Sequence, residues 1–139
     1  MRPDWTVYFL DIAEAVAKRA DCVRRQVGAV VVGADRRIVG TGYNGAPAGD
    51  PGCESCPRRL SGVDPGSSYD TGAGSCVAIH AEANALLYTD RYDLVGSTIY
   101  VTSPPCEGCT KLIRGAGLAA IYYRHLKAGD GTETLEVLR

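Results

Sequence analysis

Long apolar runs and a large net charge are both missing from this sequence of 139 residues. No stretch approaches the roughly 20 consecutive apolar residues that a transmembrane helix needs. Residues 1–5 lack the apolar core that a signal peptide carries. The formal net charge is −1, so no strong positive field attracts a polyanion. We therefore expect a cytoplasmic protein that acts on a small molecule and binds neither a membrane nor long nucleic acid.

Two short motifs carry residues suited to binding a metal. The sequence reads H-A-E at residues 80–82 and P-C-E-G-C at residues 105–109. Cys106 and Cys109 are three residues apart, so on one helical turn their sulfurs lie on the same side. A helix N-terminus favours the thiolate forms that bind zinc. With His80 as third ligand, this set predicts a zinc site whose fourth position is open to water, as catalytic zinc sites are.

Glu82 is better suited to proton transfer than to binding the metal. A catalytic zinc needs only three protein ligands, and it lowers the pKa of its bound water to about 7. A neighbouring carboxylate can then take a proton from that water and return it to the substrate. H-x-E followed by P-C-x-x-C is typical of zinc-dependent nucleobase deaminases. The alternative is a structural zinc knuckle with His80 as a core histidine, but a structural site needs no general base.

The other four cysteines indicate a second metal site. A chain without signs of secretion uses cysteines for metal or catalysis more often than for disulfides. Residues 61–75 contain few apolar side chains, so an ordered segment there needs a cross-link such as a bound metal to offset the entropy that ordering costs. We predict a second, structural zinc in a Cys₄ site, and unrelated reduced thiols are the alternative. The candidate ligands are Cys22, Cys53, Cys56 and Cys76.

Hydrophobic periodicity predicts an α/β fold. A chain of this length fits one domain, which we expect to span residues 1–139 with a cysteine-rich insertion at about 50–79. Helices alternating with strands predict a three-layer α/β/α sandwich with a central mixed sheet. The predicted helices lie at about 4–20, 80–88, 106–116 and 130–139, and the predicted strands at 27–32, 37–43, 97–102 and 118–123.

Several residues near the predicted site are candidates for binding the substrate. Asn44 carries an amide that can donate and accept, although a turn asparagine fits equally well. Arg24 and Arg25 precede the first strand, and a guanidinium fork suits phosphate oxygens, although such pairs are more often solvated charges. The backbone around Ala81 could hydrogen-bond the edge of a base. Tyr123, at the end of a strand, is either a site residue or a buried aromatic.

Over about residues 5–124, the chain resembles the cytidine deaminase superfamily, and most of all its deoxycytidylate (dCMP) deaminase branch. The cysteine-rich insertion before the H-A-E helix distinguishes this branch from tRNA adenosine deaminases. Free-cytidine deaminases usually have cysteine where this chain has His80. The stretches that carry the resemblance are C-V-R-R-Q-V-G-A-V from residue 22, T-G-Y-N-G-A-P-A-G from 41, C-P-R from 56, H-A-E-A-N-A from 80 and Y-V-T-S-P-P-C-E-G-C from 100.

The resemblance implies zinc-dependent hydrolysis of dCMP to dUMP and ammonia. It also implies a homo-oligomer, commonly a hexamer, with control by dCTP and dTTP near the glycine-rich loop. Asn44 would then contact the sugar or phosphate, and Arg24 or Arg25 the phosphate. Some relatives complete the second zinc site with histidines of the insertion, where this chain has only Cys76.

Three other functions fit the same motifs. The chain could deaminate another cytosine nucleotide or nucleoside, such as CMP or a modified dCMP in a biosynthetic pathway. It could be a tRNA adenosine deaminase, which the acidic balance of charge disfavours. It could also be a non-catalytic zinc-binding regulatory module, which the presence of Glu82 disfavours.

Metal analysis of the purified protein tests the second site. We expect about two zinc ions per chain, because the catalytic and the structural site would each bind one. A value of about one would contradict the structural site and leave the four remaining cysteines as unrelated thiols.

Overall fold

The computed structural model describes residues 2–22, 25–47, 49, 78–124 and 133–138. Its five strands form one sheet in the order β2-β1-β3-β4-β5, in which only β3 and β4 are parallel neighbours. No helix within these ranges is long and apolar enough to cross a bilayer. The elements are α1 (Trp5–Ala17), β1 (Gly28–Val32), β2 (Ile38–Tyr43), α2 (Ala81–Leu87), α3 (Arg91–Leu94), β3 (Thr98–Val101), α4 (Glu107–Gly115), β4 (Ala120–Arg124) and β5 (Glu133–Val137).

Strand β1 lies inside the sheet and is buried on both faces. Its sequence G-A-V-V-V is continuously apolar and every residue is buried, as expected for a strand covered on both sides. Val30 and Val32 pack with α1 residues such as Leu10, whereas Ala29 and Val31 pack with residues of α2 and α4. Helices therefore cover both faces of the sheet, and the predicted three-layer α/β/α sandwich with a mixed sheet is confirmed.

The C-terminal segment differs from the prediction. Instead of a helix over 130–139, Glu133–Val137 forms β5 and pairs antiparallel with β4, so that Leu135 lies opposite Tyr122. The last four residues of this segment that belong to the strand, T-L-E-V at 134–137, alternate polar and apolar residues, which is the period of a strand. Pairing with β5 also satisfies the backbone groups along one side of β4, which would otherwise form an open edge. The helix prediction for this segment was therefore wrong.

Helix α2 packs unusually close to β2. A Cβ added to Gly42 would lie 2.4 Å from the Ala81 carbonyl oxygen and 2.4 Å from the Ala85 nitrogen. Both alanines are fully buried, so small side chains meet a strand position that has none. The first turn of α2 is thereby set directly against the end of β2. This contact positions residues 80–82, which lie at the start of the helix.

Replacing Gly42 with alanine should therefore displace α2. Overpacking of this kind destabilises by about 1–3 kcal/mol, and we expect zinc content and activity to fall as well because the first turn of α2 moves. Urea unfolding and metal analysis measure the two effects.

Gly115→Ala is the matched control for this substitution. Nothing lies within 4 Å of a Cβ added there, at the last residue of α4, so this variant should be at least as stable as the unaltered chain and keep its zinc content. A Gly42→Ala protein as stable and as rich in zinc as the unaltered chain would contradict this account of the packing.

Candidate active site

The starts of helices α2 and α4 meet on one side of the sheet. His80 is the N-cap of α2, and Cys106 is the N-cap of α4, with an extended backbone at both positions. Cys109 lies in the first turn of α4 and is buried. The Pro-Pro pair before Cys106 keeps the chain extended ahead of this start, because Ser103 and Pro104 each precede a proline and so avoid the helical region. Pro105 lies just outside the helix, and Cys106 itself caps it.

The atoms of three side chains converge at this point. The His80 Nδ1 atom lies 3.3 Å from Cys109 Sγ and 3.5 Å from Cys106 Sγ. All three atoms lie within 4.8 Å of one another. In a tetrahedral zinc site, ligand distances of about 2.0 Å to nitrogen and 2.3 Å to sulfur separate nitrogen from sulfur by about 3.5 Å. The spacing therefore fits one zinc ion and leaves its fourth position for another ligand.

The charge of these groups also favours a bound cation. Burial raises the pKa of the Cys109 thiol, and the Glu82 carboxylate and Cys106 raise it further. A bound divalent cation would instead favour the thiolate over the thiol, because metal binding displaces thiol protons. The start of α4 helps as well, since the Cys109 N–H donates to Cys106 Sγ at 3.4 Å and the positive end of the helix favours thiolates.

Glu82 is buried beside the three donors. Its side chain belongs to the first turn of α2, and only 4% of the residue is exposed. An ionised carboxylate is rarely buried without a compensating charge. Glu82 is close enough to act on the Cys109 thiol, so a cation held by the donors would compensate it. A carboxylate in this place can exchange protons with a small molecule bound at the same point.

Asn44 links the end of β2 to the segment before β1. Its Oδ1 accepts from the Val27 N–H at 2.7 Å, and its Nδ2 donates to the Arg25 carbonyl at 2.8 Å. Only 8% of Asn44 is exposed. One Nδ2 hydrogen and one Oδ1 lone pair remain for other partners. Asn44 therefore has a structural role here, and its predicted contact with a substrate stays a prediction.

Arg25 reaches the loop that leads to the cysteines. Its Nη2 donates to Ser103 Oγ at 2.6 Å, and Ser103 is buried three residues before Cys106. Sequence reasoning missed Ser103, because nothing local to it indicates a partner 78 residues away. The contact ties the segment before β1 to the start of α4.

Of the remaining residues predicted for the two sites, the structure describes three. Ala81 is fully buried against Gly42. Tyr123 is half-buried, paired in register with Val101, and packs against the core beneath α2 and α4. Cys22 is partly exposed after α1. The other predicted positions lie outside the described residues: Arg24, Cys53, Cys56 and Cys76, with most of the predicted insertion at 50–79.

A cavity of about 720 Å³ lies beside the glycine-rich loop. The end of α1, the end of β2 and one side of α2 enclose it, and Arg19, Asp21, Asn44 and Asn84 are among its lining residues. The three metal donors do not line it. The cavity is therefore distinct from the group of metal donors.

The chain is similar to known deaminases over most of its length. Residues 3–125 match the family described as cytidine and deoxycytidylate deaminase zinc-binding region. The deoxycytidylate deaminase of Mycobacterium phage D29 is 63% identical over 123 residues, which are 88% of this chain and 95% of the phage protein. The deoxycytidylate deaminase of Schizosaccharomyces pombe is 39% identical over 142 residues, covering 99% of this chain but 42% of the yeast protein.

A solved structure shows the same fold. The dCMP deaminase of cyanophage S-TIM5, in complex with dCMP and dUMP, is 31% identical with a TM-score of 0.67, over 94% of this chain and 89% of that one. The family match includes both the H-A-E and the P-C-E-G-C motif. This chain belongs to the cytidine and deoxycytidylate deaminase family of zinc-dependent enzymes.

Proposed function

We propose that this protein hydrolyses dCMP to dUMP and ammonia. The observation that carries the proposal is the buried carboxylate of Glu82 beside three side-chain donors spaced for one zinc ion. The high identity to the deoxycytidylate deaminase of phage D29 supports dCMP as the substrate. A purely structural zinc site would have no use for a buried carboxylate at this place.

In this mechanism His80, Cys106 and Cys109 would hold the zinc ion. When bound, zinc makes a water molecule acidic enough to act as a nucleophile at neutral pH. Glu82 takes a proton from the attacking water and delivers it to N3 of cytosine as the oxygen adds to C4. Glu82 then transfers the second proton to the C4 amine, which leaves as ammonia while the C4 carbonyl of uracil forms. Burial keeps this carboxylate away from bulk water.

The nucleotide would be bound by groups around this point. Arg25 uses one of its five N–H donors on Ser103, which holds the guanidinium in place and leaves other donors for the phosphate. Asn44 has one amide hydrogen left for the sugar. The backbone N–H of Ala81 lies in the first turn of α2, where N–H groups lack partners within the helix, and it can bind the base. The half-buried packing of Tyr123 supports a structural role instead of a contact with the substrate.

We also propose that the protein is a homo-oligomer, with a hexamer favoured by the resemblance. Apolar side chains of α2, α3 and α4 and their junctions are exposed, and patches of this kind often mark protein interfaces. The exposed residues of this surface are Leu87, Tyr88, Tyr92, Val95 and Leu112.

Two further features of the resemblance have support of their own. Binding of dCTP and dTTP as effectors is supported by the cavity beside the glycine-rich loop. The need for reduced thiolates at the zinc site supports the cytoplasm as compartment.

Measuring ammonia release from dCMP, CMP, deoxycytidine, cytidine and tRNA tests the substrate. We expect the highest kcat/KM for dCMP. The same measurements in the presence of dCTP or dTTP test whether these nucleotides act as effectors. Loss of a charge-assisted hydrogen bond, worth about 1.5–3 kcal/mol, should raise KM for dCMP about tenfold to a hundredfold in Arg25→Met.

Two comparisons make the Arg25 result specific. Deoxycytidine has no phosphate, so its turnover should change little in Arg25→Met. Arg37→Met removes the same charge from the exposed turn after β1 and should behave as the unaltered protein. If kcat/KM were highest for CMP or for tRNA, that molecule and not dCMP would be the substrate. Equal losses for dCMP and deoxycytidine would show that Arg25 does not bind the phosphate.

Glu82→Gln tests the role of the carboxylate. We expect unchanged zinc content, because Glu82 is not a ligand, and a loss of turnover of at least about 10²–10⁴-fold, because the amide cannot transfer protons. Metal analysis and single-turnover assays measure both. Glu107→Gln, in the exposed first turn of α4, is the control and should keep nearly full activity. Loss of zinc from Glu82→Gln would instead make Glu82 a ligand.

A further inference from the structure

Helix α2 presents two residues of the proposed site and is too short to hold its own direction. It has 7 residues, and its N-cap, His80, makes no side-chain capping hydrogen bond. Helices of this length are not stable in isolation. The position of Glu82 relative to the metal donors must therefore come from contacts between α2 and the rest of the fold.

Two sets of hydrogen bonds fix the start of α2, and both go to residues 43–45. Ile79 and Gly45 exchange backbone hydrogen bonds of 2.8 and 3.2 Å just before the helix. One turn into the helix, Asn84 Nδ2 donates to the Tyr43 carbonyl at 2.8 Å. The Asn84 backbone N–H also donates to the His80 carbonyl at 2.9 Å. Asn84 is thus the side chain that joins the first turn of α2 to the end of β2.

The same short segment also holds the cysteine half of the site. Asn44 binds the backbone of residues 25–27, and Arg25 binds Ser103 in the loop before Cys106. Residues 43–45 therefore connect two helix starts that are distant in sequence. The link to the cysteines runs through Asn44 and Arg25, and the link to His80 and Glu82 runs through Ile79 and Asn84.

We propose that Asn84 is a positioning residue for the deamination reaction. Its amide holds the first turn of α2 at the angle that places Glu82 and His80 correctly against the two cysteines. Its Nδ2 is committed to the Tyr43 carbonyl, and in this role it acts neither as a metal ligand nor as a contact of the substrate. Because Asn84 also lines the cavity beside the glycine-rich loop, turnover is measured without added dCTP or dTTP. The proposal rests on the function proposed above, since the positioned groups are those of that mechanism.

Asn84→Leu keeps the size of the side chain and removes its donor. We expect kcat for dCMP to fall about tenfold to a hundredfold, because small displacements of a reacting group carry losses of this size. KM should stay within about twofold and zinc content should be unchanged. In the cobalt(II)-substituted protein, the visible absorption bands should shift, because His80 turns relative to the two sulfurs. Asn84→Gln keeps the donor on a longer arm and should recover part of kcat.

Leu86→Ala is the matched control on the same helix. Leu86 packs against the core below α2, so this variant should melt at a lower temperature while kcat and the cobalt spectrum stay as in the unaltered protein. Asn84→Asp, which has nearly the same shape but no donor, serves if the leucine variant does not fold, and it should show the same loss of kcat.

Several results would overturn the proposal. These are a kcat of Asn84→Leu within twofold of the unaltered value, a rise in KM at constant kcat, an unshifted cobalt spectrum, or an equal loss of kcat in Leu86→Ala. An unaltered protein that binds zinc but does not deaminate dCMP would instead refute the proposed function, and this result is distinguishable because it involves no variant.

Discussion

The structure depends on bringing together two helix starts that lie far apart in the sequence. His80 begins α2 and Cys106 begins α4, and their donor atoms must lie within the few ångströms that one zinc ion can span. The observed separations of 3.3 and 3.5 Å between the His80 nitrogen and the two sulfurs meet this requirement. The buried carboxylate of Glu82 adds a negative charge beside them. A cation is the natural counterpart of such a group.

The central sheet makes this meeting possible. Strands β1 and β3 are antiparallel neighbours, and β3 leads directly to the loop that carries Ser103 and Cys106. Glycine at position 42 lets α2 approach β2 closely enough for their backbones to touch. Around this frame, residues 43–45 bind the segments that hold both halves of the site. The site is therefore built at the starts of two helices that are connected through one short loop.

Particular elements show where local sequence is informative. The continuous apolar run of β1 and the periodicity of α1 predict their structures, because burial on two faces or on one helical stripe leaves a local signature. The C-terminal strand was mistaken for a helix, because only four residues, T-L-E-V at 134–137, alternate polar and apolar side chains. Its structure is decided by the unpaired side of β4, which lies elsewhere in the chain. The short helix Arg91–Leu94 is capped by Asp90, whose side chain accepts from the Tyr92 N–H at 2.9 Å. Periodicity does not reveal so short an element.

The sequence by itself determined the chemistry of this protein: an imidazole, two sulfurs and a carboxylate in the order and spacing typical of zinc deaminases. These groups lie in two compact motifs, so their identity can be read locally. Only the tertiary structure decided which side chains hold those motifs in place. Arg25 donates a hydrogen bond to Ser103, 78 residues away in the sequence, and Asn84 donates one to Tyr43, 41 residues away. No local pattern records such a pairing, because it arises only when the sheet brings distant backbone segments within hydrogen-bonding distance.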